Sequence, residues 1–326
     1  MSRGCGQVLI ILAVVVGLLV VLEVGLRSLF GFGNPLIYVP DAQIGYLLAP
    51  NQRTRRFGNR IEINAYSMRS PAIEPTLPDS TLRVLILGDS IANGGWWTDQ
   101  ARTISSLITN SGNSVNIGNY RKIEVLNASA NSWGPRNELA YLQRFGNFHA
   151  QVVVLLINTD DLFAVTPTSL PVGRDRNYPD HKPLLALVEV VQRYLYKQKP
   201  IPEMIALQNE TGDRVGKNLA AISQIHTLTR QFSSQLLLVM TPLLRELGEP
   251  GPRDYEITAR QRLIDFTQTQ QIVYLDILPI FNSTKNPQAL YHDHIHLNFA
   301  GNQLVSQIIE RSLGEVLKNE LIFKTD

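Results

Sequence analysis

The chain has 326 residues, with 30 Lys and Arg against 28 Asp and Glu, a formal net charge of +2. Hydrophobic residues make up 44% and charged residues 18%, which allows a packed core and excludes global disorder. No lysine or arginine cluster is long enough for a nucleic-acid footprint, so no such partner is expected. Its single cysteine, Cys5, excludes an intramolecular disulfide, a thiol nucleophile elsewhere in the chain and a thiolate metal cage.

In chain order, the first signal is an uncharged run from Gly4 to Leu22, almost purely aliphatic from Val8 onward. Roughly 19 helical residues at about 1.5 Å rise span the hydrocarbon of a bilayer. Glu23 and Arg27 follow at i,i+4, where they can pair at the interface. No small-residue cleavage signal follows, so residues 1–30 are expected to be an uncleaved single-pass anchor. Arg3 precedes the run and several arginines follow it, so the positive-inside rule does not by itself orient the chain. Residues 31–80, rich in Gly, Pro, Asn and Arg, read as a stalk that packs on the main domain through a small hairpin around Ile61–Ile63. Arg53, Arg55, Arg56 and Arg60 within it read as solvated surface, with anionic headgroups as the alternative.

Residues 81–326 are expected to form the main domain. Five short aliphatic runs, Leu82–Leu87, Ile123–Leu126, Val152–Ile157, Leu236–Met240 and Ile272–Leu275, have the character of strands covered on both faces. Helical spacings lie between and after them: Leu139, Leu142 and Phe145; Val215, Leu219, Ile222 and Ile225; and Leu304, Val305, Ile308 and Ile309, with Asn298 as N-cap. This alternation predicts a three-layer α/β/α sandwich around a mostly parallel five-stranded sheet. In such sheets chemistry collects at the carboxyl ends of the strands.

Past the first run stand Gly88, Asp89 and Ser90; near the end of the chain, Asp293 lies three residues before His296. A serine hydroxyl becomes a nucleophile when a base takes its proton, and the base needs a carboxylate to hold its tautomer. Alone, Gly-Asp-Ser marks an ordinary capped turn as readily as a catalytic one. His292, His294 and His296 alternate, as ligands on a strand would, but Asn298–Gly301 points to a loop entering a helix, and no metal or cofactor is implied. His149, His181 and His226 read as surface or core-edge residues. Trp96, Trp97 and Trp133 either line the mouth or pack beneath it. Asn127-Ala128-Ser129 fits a glycosylation sequon but is read as part of the site rim. The proline-rich stretch 167–202, with a helical run from Leu184 to Tyr196, reads as a partial lid.

The segments VLILGDSIANGG around Ser90, VLNASANSWGP around Gly134, VVVLLINTDDLF around Asp160 and DHIHLN at Asp293–Asn298 together resemble the SGNH/GDSL hydrolase family, in the family's order across most of residues 82–315. The resemblance implies a flavodoxin-like fold and an acyl-enzyme mechanism, with Ser90 as nucleophile, His296 as general base then acid, and Asp293 orienting it. It also implies an oxyanion hole from the Ser90 N–H, a backbone N–H of Ser132 or Gly134, and a side chain at position 160. The family's asparagine there is replaced by Asp160. Either Asp160 is protonated, or Asn158 or Asn131 supplies the amide, or turnover is slow or absent. The expected activity is ester hydrolysis on an acylated carbohydrate or lipid-like substrate at the cell envelope, with the domain outside the cytoplasm. An O-acyltransferase using the same triad, or a domain that binds a glycan or partner without turnover, are the alternatives.

Overall fold

The computed structural model describes residues 2–73, 80–111 and 119–323, and the side chains within 6–317 of these. Its centre is a five-stranded, fully parallel sheet of β5 (Thr81–Gly88), β6 (Lys122–Ser129), β7 (Val152–Asn158), β8 (Gln235–Thr241) and β9 (Val273–Asp276), in the order β6-β5-β7-β8-β9. All five aliphatic runs are therefore strands, each within a residue or so of its expected start. β5 and β7 are buried along their whole length, which is why they read as unbroken apolar runs rather than alternating ones.

Alternate residues serve the two faces. Leu85, Leu87, Leu126, Val153, Leu155, Leu238 and Met240 pack on α4 (Pro135–Phe145), α7 (Arg214–Gln231) and α8 (Asp254–Thr269). Leu82, Val84, Ile86, Ile123, Val154, Leu237 and Val239 pack on α2 (Ser90–Asn93), α3 (Ile104–Ser111), α9 (Leu278–Asn282) and α10 (Phe299–Phe323). The molecule is thus an α/β/α sandwich with two apolar cores, one per sheet face. Asn298 caps α10 as its position suggested, accepting from the N–H groups of Ala300 and Gly301 at 2.9 and 3.2 Å.

Residues 31–73 hold two antiparallel hairpins, β1 (Tyr38–Asp41) with β2 (Gly45–Leu48), and β3 (Gln52–Arg56) with β4 (Asn59–Ile63). Tyr38, Tyr46, Leu48, Ile61 and Ile63 join the same core as α4 and α7. Of the four arginines read as solvated, Arg53 pairs with Glu62 at 2.7 Å and Arg60 with Asp99 at 3.2 Å, but Arg56 is buried against Glu189 at 2.5 Å. Arg56 departs from the solvated reading because β3 turns it inward, and a buried guanidinium requires a carboxylate partner.

The N-terminal apolar run is α1 (Ser2–Gly25), continued by one wider turn over Leu26–Phe30. Gly6–Phe30 is long and apolar enough to cross a bilayer, and none of its most apolar stretch is buried in the protein. Glu23 and Arg27 pair at 2.6 Å. Two further elements, α5 (Ala186–Tyr194) and α6 (Pro202–Gln208), lie in the insertion between β7 and α7.

Candidate functional site

Ser90 opens α2 directly after β5. Gly88 makes the turn possible: a Cβ there would come within 2.7 Å of the Leu156 carbonyl oxygen and 2.8 Å of the Ala92 Cβ. Asp89 caps the helix, accepting from the Ile91 N–H at 2.8 Å, and Ser90 is left 7% exposed at the carboxyl end of the sheet. Far along the chain, the loop before α10 folds back through the Tyr291–Leu297 bridge and sets His296 over the same edge.

The outcome is one hydrogen-bonded chain. His296 Nε2 lies 2.9 Å from Ser90 Oγ, and His296 Nδ1 lies 2.7 Å from Asp293 Oδ2. Asp293 Oδ1 accepts from the backbone N–H groups of Ile295 and His296 at 2.9 and 2.8 Å. Burial alone would raise the Asp293 pKa, but these N–H groups and the imidazole outweigh it and bring it down to about 2. A carboxylate that stays ionised favours Nδ1–H donation to it, which leaves Nε2 to accept from the serine hydroxyl. The Trp97 ring packs on His296, centroids 4.3 Å apart, and stacks parallel to His292 at 6.0 Å. The three alternating histidines go separate ways: His292 to Trp97, His294 to solvent, His296 to Ser90 and Asp293. Among the described residues no group of three or more His, Cys, Asp or Glu is placed to hold a metal ion.

Two cavities meet at Ser90. One, of about 890 Å³, is bounded by Asp160, Phe163, Ile201 and His294; the other, of about 270 Å³, by Trp96, Trp97, Asn131, Arg56 and Arg193. Ser90, Ser132, Tyr178 and His296 line both. Trp96 and Trp97 are thus at the mouth, whereas Trp133 is buried, its Nε1 donating to the Tyr46 carbonyl at 3.1 Å.

The residues suggested around the oxyanion separate in the structure. The Gly134 N–H donates to Asn137 Oδ1 at 3.1 Å, closing the start of α4, and is committed there. Ser132 stands in the left-handed region at φ 58°, exposed in both cavities, and its N–H has no partner among the described residues. Its Oγ accepts from the Tyr178 hydroxyl at 2.9 Å. The Asn158 amide donates to Asp89 Oδ2 and Asp161 Oδ2, each at 2.9 Å, and is spent below the site. Asn131 faces the smaller cavity, with its Oδ1 buried and unpartnered among the described residues. Asp160 projects into the larger cavity, its side chain 61% exposed, with Arg245 4.0 Å away. Asn127 is not on the rim. It is fully buried within β6, its amide bonded to Ala92 O and Ser105 Oγ, because β6 runs on to Ser129 rather than stopping at Leu126.

Several parts of the site were not visible in the sequence. Arg69, fully buried, donates to the carbonyls of Asn93, Gly95 and Thr98, and so shapes the loop that carries Trp96 and Trp97. Tyr178, from the 167–202 insertion, packs on Tyr38 and Tyr46 and reaches Ser132. Beneath Ser90 lies an acidic cluster. Burial raises Asp89 to about 6, and burial, with the neighbouring carboxyls, raises Asp161 and Glu138 well above the carboxylate range. Neither Glu138 oxygen has a partner among the described residues.

That cluster has a consequence for stability. A carboxyl with a raised folded pKa keeps a proton that the unfolded chain releases. Its contribution is complete below the unfolded value and declines as pH rises toward the folded one, by up to about 1.4 kcal/mol per pH unit for each such group. Glu138→Gln removes one such group. The melting temperature of the variant, relative to the unaltered protein, is expected to climb as pH rises above the ordinary carboxylate range. A difference independent of pH in parallel thermal melts would contradict the assignment.

The model of the GDSL-like lipase/acylhydrolase family matches residues 86–304, two thirds of the chain, from the end of β5 into α10. The chain belongs to that family. Its members are acylhydrolases, and its activity is ester hydrolysis. Similar solved structures include an acetylxylan esterase from Geobacillus stearothermophilus, at 16% identity and a TM-score of 0.47, covering 72% of this chain and 94% of that one. A lipase/acylhydrolase from Enterococcus faecalis shows 14% identity and a TM-score of 0.44, covering 72% and 96%. No curated protein sequence matches the chain.

Proposed function

We propose that this acylhydrolase works through a Ser90 acyl-enzyme on an acylated carbohydrate or lipid-like ester, and that α1 anchors it in a membrane with the domain on the extracytoplasmic side. The observation that carries the chemistry is the chain from Ser90 Oγ to His296 Nε2 to Asp293 at 2.9 and 2.7 Å, at the meeting point of two cavities. As Ser90 Oγ attacks the ester carbon, its proton passes to Nε2, and the carbonyl oxygen becomes an oxyanion. The N–H groups of Ser90 and Ser132 and the Asn131 amide are the proposed donors to it. Nε2 then returns the proton to the departing alcohol. Water, deprotonated by the same nitrogen, releases the acid and restores the hydroxyl.

The mouth tryptophans suit the smaller cavity to the acyl part, and the larger to the alcohol part, a sugar or glycerol-like unit. This arrangement also favours a second reading, O-acyl transfer, in which a sugar hydroxyl held in the larger cavity replaces water. Incubation with a fluorophosphonate probe tests the nucleophile: the unaltered chain should be labelled at one serine, and Ser90→Ala should not. Labelling that persists in Ser90→Ala rejects it. Product analysis with and without a carbohydrate acceptor then separates hydrolysis from transfer.

A further inference from the structure

The helix α5 is inside out. On a helix at a water surface the charged side chains face solvent and the apolar ones face the core. Here Glu189, 7% exposed, points inward to Arg56, and its other oxygen accepts from the Gly33 N–H at 2.6 Å. Arg193 also turns in, donating to the Arg176 carbonyl at 2.9 Å and lining the smaller cavity. Apart from Gln192, what faces outward is apolar and aromatic: Val188 and Tyr194 on the helix, Leu184 at 93% exposed before it, and Leu195 at 77% with Tyr196 after it. Exposed Lys182, Lys197 and Lys199 flank the segment.

The same segment is fastened to the end of α1. The Glu23 carboxylate accepts from the N–H groups of Ala186 and Leu187 at 2.7 and 3.0 Å, and Arg27 donates to the Leu184 carbonyl at 2.7 Å. Glu23 is the first charged residue after the apolar run, which places it at the headgroup layer of any bilayer that α1 crosses. Leu184 and Leu185 must then stand at that layer too.

We propose that residues 184–196 are a second, in-plane membrane contact. In this arrangement Leu184, Val188, Tyr194, Leu195 and Tyr196 sink into the interface of the bilayer spanned by α1, with the flanking lysines at the headgroups. The inference rests on the reading of α1 as an anchor. It goes beyond that reading by holding the catalytic cleft against the lipid surface rather than at the end of a free tether. Arg193, on the inner side of α5, and Lys199, just past the patch, each line a cavity that reaches Ser90. Ester substrate is therefore met at headgroup depth.

The test uses the full chain in phospholipid nanodiscs, in a Cys5→Ser background, with an environment-sensitive fluorophore on Val14→Cys, Leu195→Cys or Gln270→Cys. Gln270 ends α8 at the amino side of the sheet, away from the patch. Lipids carrying a doxyl quencher near the headgroup are expected to quench the Leu195 probe, with a blue shift, and to leave the Gln270 probe unchanged. A lipid-soluble quencher placed deep in the acyl chains reports on the Val14 probe. Quenching at Val14 without quenching at Leu195 overturns the inference and keeps the anchor; quenching at neither overturns both. A blue-shifted Leu195 probe that no lipid quencher reaches marks a protein partner or a second copy on this face, and also overturns it.

Discussion

Ser90→Ala and His296→Ala are each expected to lower kcat/KM for a small ester such as p-nitrophenyl acetate by about 10⁴- to 10⁶-fold, and the double variant is expected to be no worse than either. The reason is that neither group does the work alone. An unassisted serine hydroxyl is a weak nucleophile at neutral pH, and in the proposed mechanism the imidazole 2.9 Å away removes its proton as the bond forms. Removing the base leaves a nucleophile that cannot be activated; removing the hydroxyl leaves a base with nothing to activate. Residual rate then comes from oxyanion donors and binding, which both variants retain. Ser90, at the start of α2, and His296, in the loop before α10, line the cavities rather than the apolar cores, so the variants should keep the circular dichroism and melting behaviour of the unaltered chain. Single variants within tenfold of full activity, or single losses that simply multiply in the double variant, would mean that the two groups do not act as a unit.

How far this site could be read from sequence depends on the physics of each part. The strands were legible because burial on both faces demands unbroken aliphatic runs, as in β5 and β7. The long-range pair Ser90 and His296 was legible through the resemblance, since no local rule joins residues so far apart. The ends of strands were less so: β6 continues through Asn127 to Ser129, polar residues that read as loop until their amides and hydroxyls are seen bonded to one another and to α2 and α3. The hairpins of residues 38–63 combine core residues such as Ile61 with charged ones such as Arg60, so composition suggested a peripheral segment while alternation in β4 carried Ile61 and Ile63 into the core, and β2, buried throughout, brought Tyr46 with them. Arg69 and Tyr178 reach the site through tertiary packing alone, with no motif around them. Between Ser132 and Gly134, and between Asn131 and Asn158, what differs is which donor is already engaged. Spacing cannot report that; hydrogen-bond partners can.

Asp160→Asn is expected to raise kcat/KM by about 10- to 100-fold, with the gain growing as pH rises. An amide at an oxyanion is worth roughly 100- to 1000-fold when well placed. A carboxylate facing the same cavity offers no N–H, and when ionised it repels the developing charge. Position 160 lines the larger cavity together with Ser90 and His296, so its charge faces the same space as the reacting centre. Burial moves the Asp160 pKa up; Arg245 draws it back, and Glu256 and Glu246 push it up further. Arg245 does not cancel the rise, because it is shared with Glu256, whose carboxylate it engages through both terminal nitrogens. At low pH Asp160 is protonated and the repulsion is absent, so the unaltered chain and the variant differ only by the missing donor. As pH rises through the Asp160 pKa the unaltered chain gains a negative charge beside the oxyanion and the variant does not, and the ratio of their rates climbs to a plateau. Measured as kcat/KM against pH for both proteins, that rising ratio is the signature of an electrostatic effect at residue 160. A ratio at or below one across the whole range would show that Asp160 does not face the oxyanion, and would leave the Asn131 amide and the Ser132 N–H to carry its stabilisation.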